Sequence, residues 1–174
     1  MQTVSASADI EAPPEVVRDE LTPRSIIEYE QTYDVVEVTE TVDGWYLTVM
    51  SVEGDIEMEL FFEELSNGFA YELVSGRPFE RLRTTVTLDS DAPADAETGD
   101  DTNPEPGTAG AERDNVRVTM TSEFSFGGLL SPLTDWLASD KRQLELERAL
   151  YNLAVDVYGV EPGSETDATS AERE

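Results

Sequence analysis

The side chains of this chain that can do chemistry are few in kind. It has no His and no Cys, so a Ser-His-Asp triad, an imidazole base, a thiol nucleophile, a disulfide and the usual zinc, haem and iron-sulfur sites are all excluded. Chemistry must come from carboxylates, hydroxyls, guanidinium groups and aromatic rings. The informative ones are those that an alternating strand or a helical repeat turns towards a core, because a polar group there costs free energy unless it is paired. By that criterion Glu80, Thr84 and Ser122 fall on inward strand positions, and Asp140 and Glu147 fall inside the apolar arc of a long C-terminal helix. Trp45, Tyr71, Trp136 and Tyr151 can line a cavity while their polar tips orient a ligand. Each has a purely structural alternative. Thr84 and Ser122 can bond to nearby backbone, Glu80 and Asp140 can sit at frayed element ends, and the aromatics can be ordinary core. Glu147, between Leu144 and Tyr151, either pairs with an Arg or meets a ligand if it points inward. Nothing sets a second catalytic group beside it, so no catalytic residue is assigned.

No metal ion or cofactor is expected. The run from Asp89 to Asp95 resembles the start of a calcium loop, but its fifth position is Pro93 and its sixth is Ala94, where Gly is needed. Gly127-Gly128 lacks the Lys and Ser/Thr of a phosphate-binding loop. Arg81, Arg83 and Arg117 would share the outer face of two neighbouring strands. Cross-strand pairing with acids such as Glu72 or Glu123 accounts for them, with an anionic-ligand site as the alternative.

Charge narrows the partners. The chain of 174 residues holds 39 Asp plus Glu against 11 Lys plus Arg, a formal net charge of -28. Such a surface repels nucleic-acid phosphates and anionic lipid, so neither nucleic-acid binding nor stable membrane anchorage is expected. Two segments have the composition of disorder: 89–114 contains nine acids and one Arg, and 161–174 contains five acids and one Arg, both without large apolar residues. The rest still carries a net charge of -16. Only one Lys, Lys141, stands against ten Arg. This composition resembles that of proteins from salt-accumulating halophiles, since in concentrated salt the repulsion between carboxylates is screened. A nucleic-acid mimic or a dock for a basic partner would gather its acids on one face, and the acids here are spread. Met1 to Ala12 has no basic, then apolar, leader pattern, and no run of 18 apolar residues occurs, so a cytoplasmic protein is expected.

The elements that must position these residues follow from periodicity and turn chemistry. Gln2 to Ile10 alternates as a half-buried strand. Pro14 to Leu21 reads as a helix, and Thr22-Pro23 opens a second short one carrying Ile26 and Ile27. Strands follow at Tyr33–Val42, Trp45–Glu53, Ile56–Leu65, Phe69–Ser75, Glu80–Leu88 and Val116–Phe126, with Asp43-Gly44 as a two-residue hairpin signal. The acidic segment 89–114 is an insertion at the tip of the last hairpin, where long loops are thermodynamically tolerated. A helix from about Pro132 to Tyr158, stopped by Gly159, carries two apolar stripes: Leu133, Leu137, Leu144, Tyr151 and Val155, and Leu146, Leu150, Leu153 and Val157. Lys141, Arg142, Glu145, Arg148, Asn152 and Asp156 would take the exposed side.

In element order, and in the stretch Ala8-Asp9-Ile10-Glu11-Ala12-Pro13-Pro14-Glu15-Val16-Val17 together with Phe124 to Leu137, the chain resembles the START-like, or SRPBCC, superfamily. The resemblance covers about residues 1–158 without the insertion. It implies an α+β helix-grip fold: a strongly curved antiparallel sheet of about seven strands wrapped around a long C-terminal helix, with two short helices after the first strand. Residues 1–160 would form one domain and 161–174 a disordered tail. It also implies a cavity between sheet and helix for a hydrophobic small molecule such as a lipid, quinone or polyketide. Superfamily members differ in use, so three expectations stand side by side: a carrier, more in keeping with this sequence than an enzyme; a cyclase- or hydratase-like enzyme in the same cavity; and a co-chaperone-like module whose filled cavity leaves a protein partner as its ligand. A monomer or weak dimer is expected.

Overall fold

The computed structural model describes residues 1–90, 115–126 and 132–159, with side chains from residue 138 onward in the last segment. The expected disorder of 89–114 does not hold for Asp89 and Ser90, which pair with Arg117 and Val116. Residues 91–114, the tail, the Gly127-Gly128 break and the side chains of Leu133, Trp136 and Leu137 lie outside the described residues.

Ten elements appear in the expected order: β1 (Gln2–Ile10), α1 (Pro14–Glu20), α2 (Pro23–Glu30), β2 (Tyr33–Glu40), β3 (Trp45–Ser51), β4 (Glu57–Leu65), β5 (Gly68–Gly76), β6 (Phe79–Ser90), β7 (Val116–Phe126) and α3 (Pro132–Tyr158). The strands form one antiparallel sheet in the order β1-β7-β6-β5-β4-β3-β2. Each strand from β2 to β7 pairs with its sequence neighbour, and β1 closes the far edge against β7. This is the helix-grip α+β architecture. Alternation sets the faces: Met58, Leu60 and Phe62 are buried on β4 while Glu57 is exposed, and α3 lies against the same side of the sheet with Leu146, Ala149, Leu150 and Leu153 buried.

Local chemistry explains the entries and turns. Pro13 and Pro14 start α1, and Thr22 caps α2: its hydroxyl accepts from the Ser25 amide at 3.0 Å while the Ser25 hydroxyl accepts from the Thr22 amide at 2.8 Å. The first hairpin differs from expectation. Glu40 pairs with Trp45, so the loop is Thr41–Gly44, four residues, closed by the Thr41 amide donating to the Gly44 carbonyl at 2.7 Å. Gly44 is required there, since a Cβ would lie 2.0 Å from the Phe62 carbonyl oxygen.

Two expected placements are corrected. Glu80 does not face the core: a register shift between Phe79 and Arg81 makes it the extra residue of a bulge, exposed, and turns Phe79 inward against Phe124 and Phe126. On α3, Leu144 and Tyr151 are 59% and 64% exposed, whereas Arg142 and Glu145 are buried. The buried seam follows 142, 145, 146, 149, 150 and 153, spacings of three and four. Among the described residues of the two apolar stripes, Leu146, Leu150 and Leu153 are buried, whereas Leu144 and Tyr151 are not.

Candidate functional site

Arg142 is the centre of the concave face. It projects from α3 onto the middle of the sheet and is 3% exposed. Its guanidinium makes a two-pronged pair with Glu30, the last residue of α2, Nη1 to Oε2 at 2.6 Å and Nη2 to Oε1 at 3.1 Å. Nη1 also donates to Glu145 Oε2 at 3.0 Å. Nη2 donates to the Tyr71 hydroxyl and, at 3.0 Å, to Thr84 Oγ1, while Nε donates to Ser122 Oγ at 3.1 Å. Around it the hydroxyls join one another. Tyr71 donates to Glu30 Oε1 at 2.6 Å, and Thr84 and Ser122 lie 2.9 Å apart.

Four elements besides α3 supply this cluster, each for a local reason. Thr84 and Ser122 are cross-strand partners on β6 and β7, and Tyr71 is the cross-strand partner of Thr84 on β5, so three inward hydroxyls form a row. Glu30 reaches the row because α2 stops there, with Gln31 in the left-handed conformation at φ 55 turning the chain into β2. Burial draws the Arg142 guanidinium down, but the Glu30 carboxylate beside it more than offsets this and holds it firmly protonated. Burial, aided by Glu30, pushes the Tyr71 hydroxyl far above the ordinary tyrosine range. Tyr33 is pushed up to about 12, by burial first and the nearby Glu145 carboxylate second.

The cluster divides the concave face in two. On the side of Val86, Val118 and Met120, beneath Ala149 and Leu153, the interior is closed: the remaining void is about 10 Å³, no more than one water requires. On the other side, beyond Thr84 and Ser122 along the same strands, the inward apolar residues Leu73, Phe79 and Phe126 are only half-buried, as are Tyr33 and Ile56. Phe79, Phe124 and Phe126 contact one another there, with ring centroids 5.0 to 5.8 Å apart.

Of the residues singled out from sequence, the structure brings Tyr71, Thr84 and Ser122 together. Trp45 is half-buried at the opposite end, edge-on to Phe69. Asp140, Glu147 and Tyr151 lie on the exposed face of α3, with Glu147 accepting from Gln143 at 3.0 Å, and Glu80 is exposed at its bulge. The Trp136 side chain lies outside the described residues. Sequence reasoning missed Glu30, Arg142 and Glu145. The one signal for Arg142 is phase: it precedes Leu146 by four and Leu153 by eleven positions, in register with the stripe that packs. On the outer face Arg83 pairs with Glu63 at 2.7 Å and Glu72 at 3.4 Å, and Arg117 with Asp9 at 2.7 Å. Among the described residues no group of three or more acids is placed to hold a metal ion, and no helix is long and apolar enough to cross a membrane.

No protein-family model matches the chain, and no curated protein matches it. Solved structures do. TTHA0849 from Thermus thermophilus aligns over 92% of this chain and 100% of its own with a TM-score of 0.64 and 17% identity. The Zhui aromatase/cyclase from a Streptomyces species aligns over 90% and 95% with a TM-score of 0.59 and 12% identity. A conserved protein from Geobacillus kaustophilus aligns over 91% and 96% with a TM-score of 0.58 and 10% identity. At these identities the likeness is one of fold. The chain shares the fold of an aromatase/cyclase over nearly its whole length.

Proposed function

We propose that this chain binds and carries a hydrophobic small molecule, of lipid, quinone or polyketide type, between the sheet and α3, as a member of the START-like superfamily. The observation that carries the reading is the asymmetry across Arg142. One half of the concave face is packed shut, while in the other an aromatic and aliphatic lining of Leu73, Phe79, Phe124 and Phe126 ends half-covered against a buried polar wall. An apolar lining with a few convergent polar groups is the usual make-up of a small-molecule site. Arg142 itself is no anion receptor, because all its donors are already engaged by Glu30, Glu145, Tyr71, Thr84 and Ser122. Its role is to hold the wall in place.

The same observation weighs on the alternatives. Glu30, Tyr71, Arg142 and Glu145 are convergent ionisable groups, as a cyclase-like reaction needs, yet each is tied to the others, which favours a carrier. The half-covered lining disfavours a module whose cavity is filled throughout. Composition adds a further reading, a protein working in concentrated salt in the cytoplasm.

Native mass spectrometry of the full chain from volatile high salt tests the carrier. A co-purifying apolar mass is expected, together with fluorescence-detected binding of 2-naphthalenemethanol that Leu73→Trp abolishes by filling the space. Absence of both the mass and the probe binding sinks the reading.

A further inference from the structure

The buried wall has one more carboxylate than it has cations. Glu30 and Glu145 face a single guanidinium, and the side chains of all three are at least nine-tenths buried. Glu30 is fully engaged, with both oxygens on Arg142 and one also on Tyr71. Glu145 is not. Its Oε2 accepts from Arg142, but its Oε1 has no hydrogen-bond donor among the described residues, only the ammonium of Lys141 at 4.0 Å, on a side chain 75% exposed to water. Lys141 is therefore a weak, solvent-screened counter-charge. The Glu145 carboxylate also acts on Tyr33, a half-buried residue packed against the core.

Resting on the carrier reading above, we infer that the site selects by charge: it takes an apolar molecule whose polar end is a hydrogen-bond donor, an amine or an alcohol, met by Glu145, and rejects the same molecule ending in a carboxylate. A buried negative charge acts on a ligand through a low-dielectric medium, where like charges repel far more strongly than in water. A donor head group instead supplies the hydrogen bond that Glu145 Oε1 lacks. An amphiphile with an anionic head, such as a fatty-acid anion, gains its apolar burial but meets the wall with the wrong sign.

The test uses three probes of one shape, 2-naphthylmethylamine, 2-naphthalenemethanol and 2-naphthoate, with the full chain in 1 M KCl, where the screening length is about 3 Å and the general acidity of the surface is suppressed. The amine and the alcohol should each bind at least about tenfold more tightly than the carboxylate. Glu145→Gln, which keeps an acceptor for Arg142 and removes one charge, should bring amine and carboxylate to within about threefold. Glu40→Gln, the same charge change at an exposed position on β2, should leave the ratio unchanged. Lys141→Ala should widen the ratio, and it does so without touching the Arg142 contacts, so the inference stays testable if Glu145→Gln folds poorly. Carboxylate binding as tight as amine binding, or a ratio that survives Glu145→Gln, overturns charge selection while leaving a carrier intact. Failure of all three probes overturns the carrier and this inference with it.

Discussion

Arg142 and Glu30, 112 residues apart in sequence, form a two-pronged ion pair at 2.6 and 3.1 Å with both side chains buried. The pair joins α3 to the end of α2 across the middle of the sheet. Removing one member of such a pair leaves an uncompensated charge, which typically costs about 3–5 kcal/mol. Arg142→Met should therefore lower the stability of the full chain by about that much in urea unfolding. The double variant Arg142→Met, Glu30→Met should recover a substantial part of it. Arg142→Lys should also destabilise, since an ammonium cannot reproduce the fork that reaches five partners. A loss within experimental error for Arg142→Met would mean that the cluster does not hold the helix.

The corrected face of α3 gives a sharp contrast. Leu153 is buried and Tyr151, two residues earlier, is 64% exposed. Leu153→Ala should cost about 2–5 kcal/mol, whereas Tyr151→Ser should stay within about 0.5 kcal/mol beyond its small propensity effect. Equal losses from thermal or urea unfolding would return Tyr151 to the core.

Alkaline stability reports on burial at Tyr33. Tyr33 titrates at about 12 in the folded chain against an ordinary 10.0, so the folded state holds a proton that the unfolded state releases. The stability linked to it is fully present below about pH 10 and lost as pH rises towards 12. Because Tyr33 is only half-buried, the effect is on the order of 1–2 kcal/mol. Unfolding free energy measured from pH 9 to 12 should fall less steeply in Tyr33→Phe than in the wild type, and superimposable curves would refute the assignment.

Gly44 is the least replaceable turn residue of the first hairpin. At φ 151, with a Cβ position 2.0 Å from the Phe62 carbonyl oxygen, Gly44→Ala should cost at least about 2 kcal/mol and disturb the pairing of Trp45 with Phe62. Gly54→Ala, where no atom lies within 4 Å of the new carbon, should cost only the strain of its positive φ, about 1 kcal/mol. Thermal unfolding of the two variants side by side checks the order.

The charge of -28 makes salt the remaining lever. Self-repulsion of like charges is screened as ionic strength rises, so the unfolding midpoint should climb between 0.1 and 3 M KCl. A flat or falling curve would remove the salt-adaptation reading.

Much of the fold was legible because local rules agreed with one another. Alternation from Gln2 to Ile10 and from Val116 to Phe126, Pro14 and Thr22-Pro23 as helix starts, and Gly159 as a stop each match the observed ends of an element. What was not legible depended on partners distant in sequence. Periodicity alone could not choose between the two stripes of α3, and it set Arg142 and Glu145 on the exposed side while turning Asp140 and Glu147 inward. Phase with Leu146 and Leu153 was the one pointer to Arg142, and the partner that makes its burial possible, Glu30, lies at the end of another helix. Glu80 failed for a different reason: simple alternation has no way to register the bulge after Phe79. Thr84, Ser122 and Tyr71 succeeded because inward hydroxyls on adjacent strands need only alternation to be placed together.

The distribution of the Arg142 partners along the chain has a consequence for the order of assembly. Glu30, Tyr71, Thr84 and Ser122 all precede their cation, which arrives with the last helix. A nascent chain synthesised only as far as β7 has a carboxylate and three hydroxyls facing an uncovered concave surface, with nothing to neutralise or cover them. The inner face of the sheet is covered only when α3 docks, bringing Arg142 to these partners together with the buried Leu146, Ala149, Leu150 and Leu153.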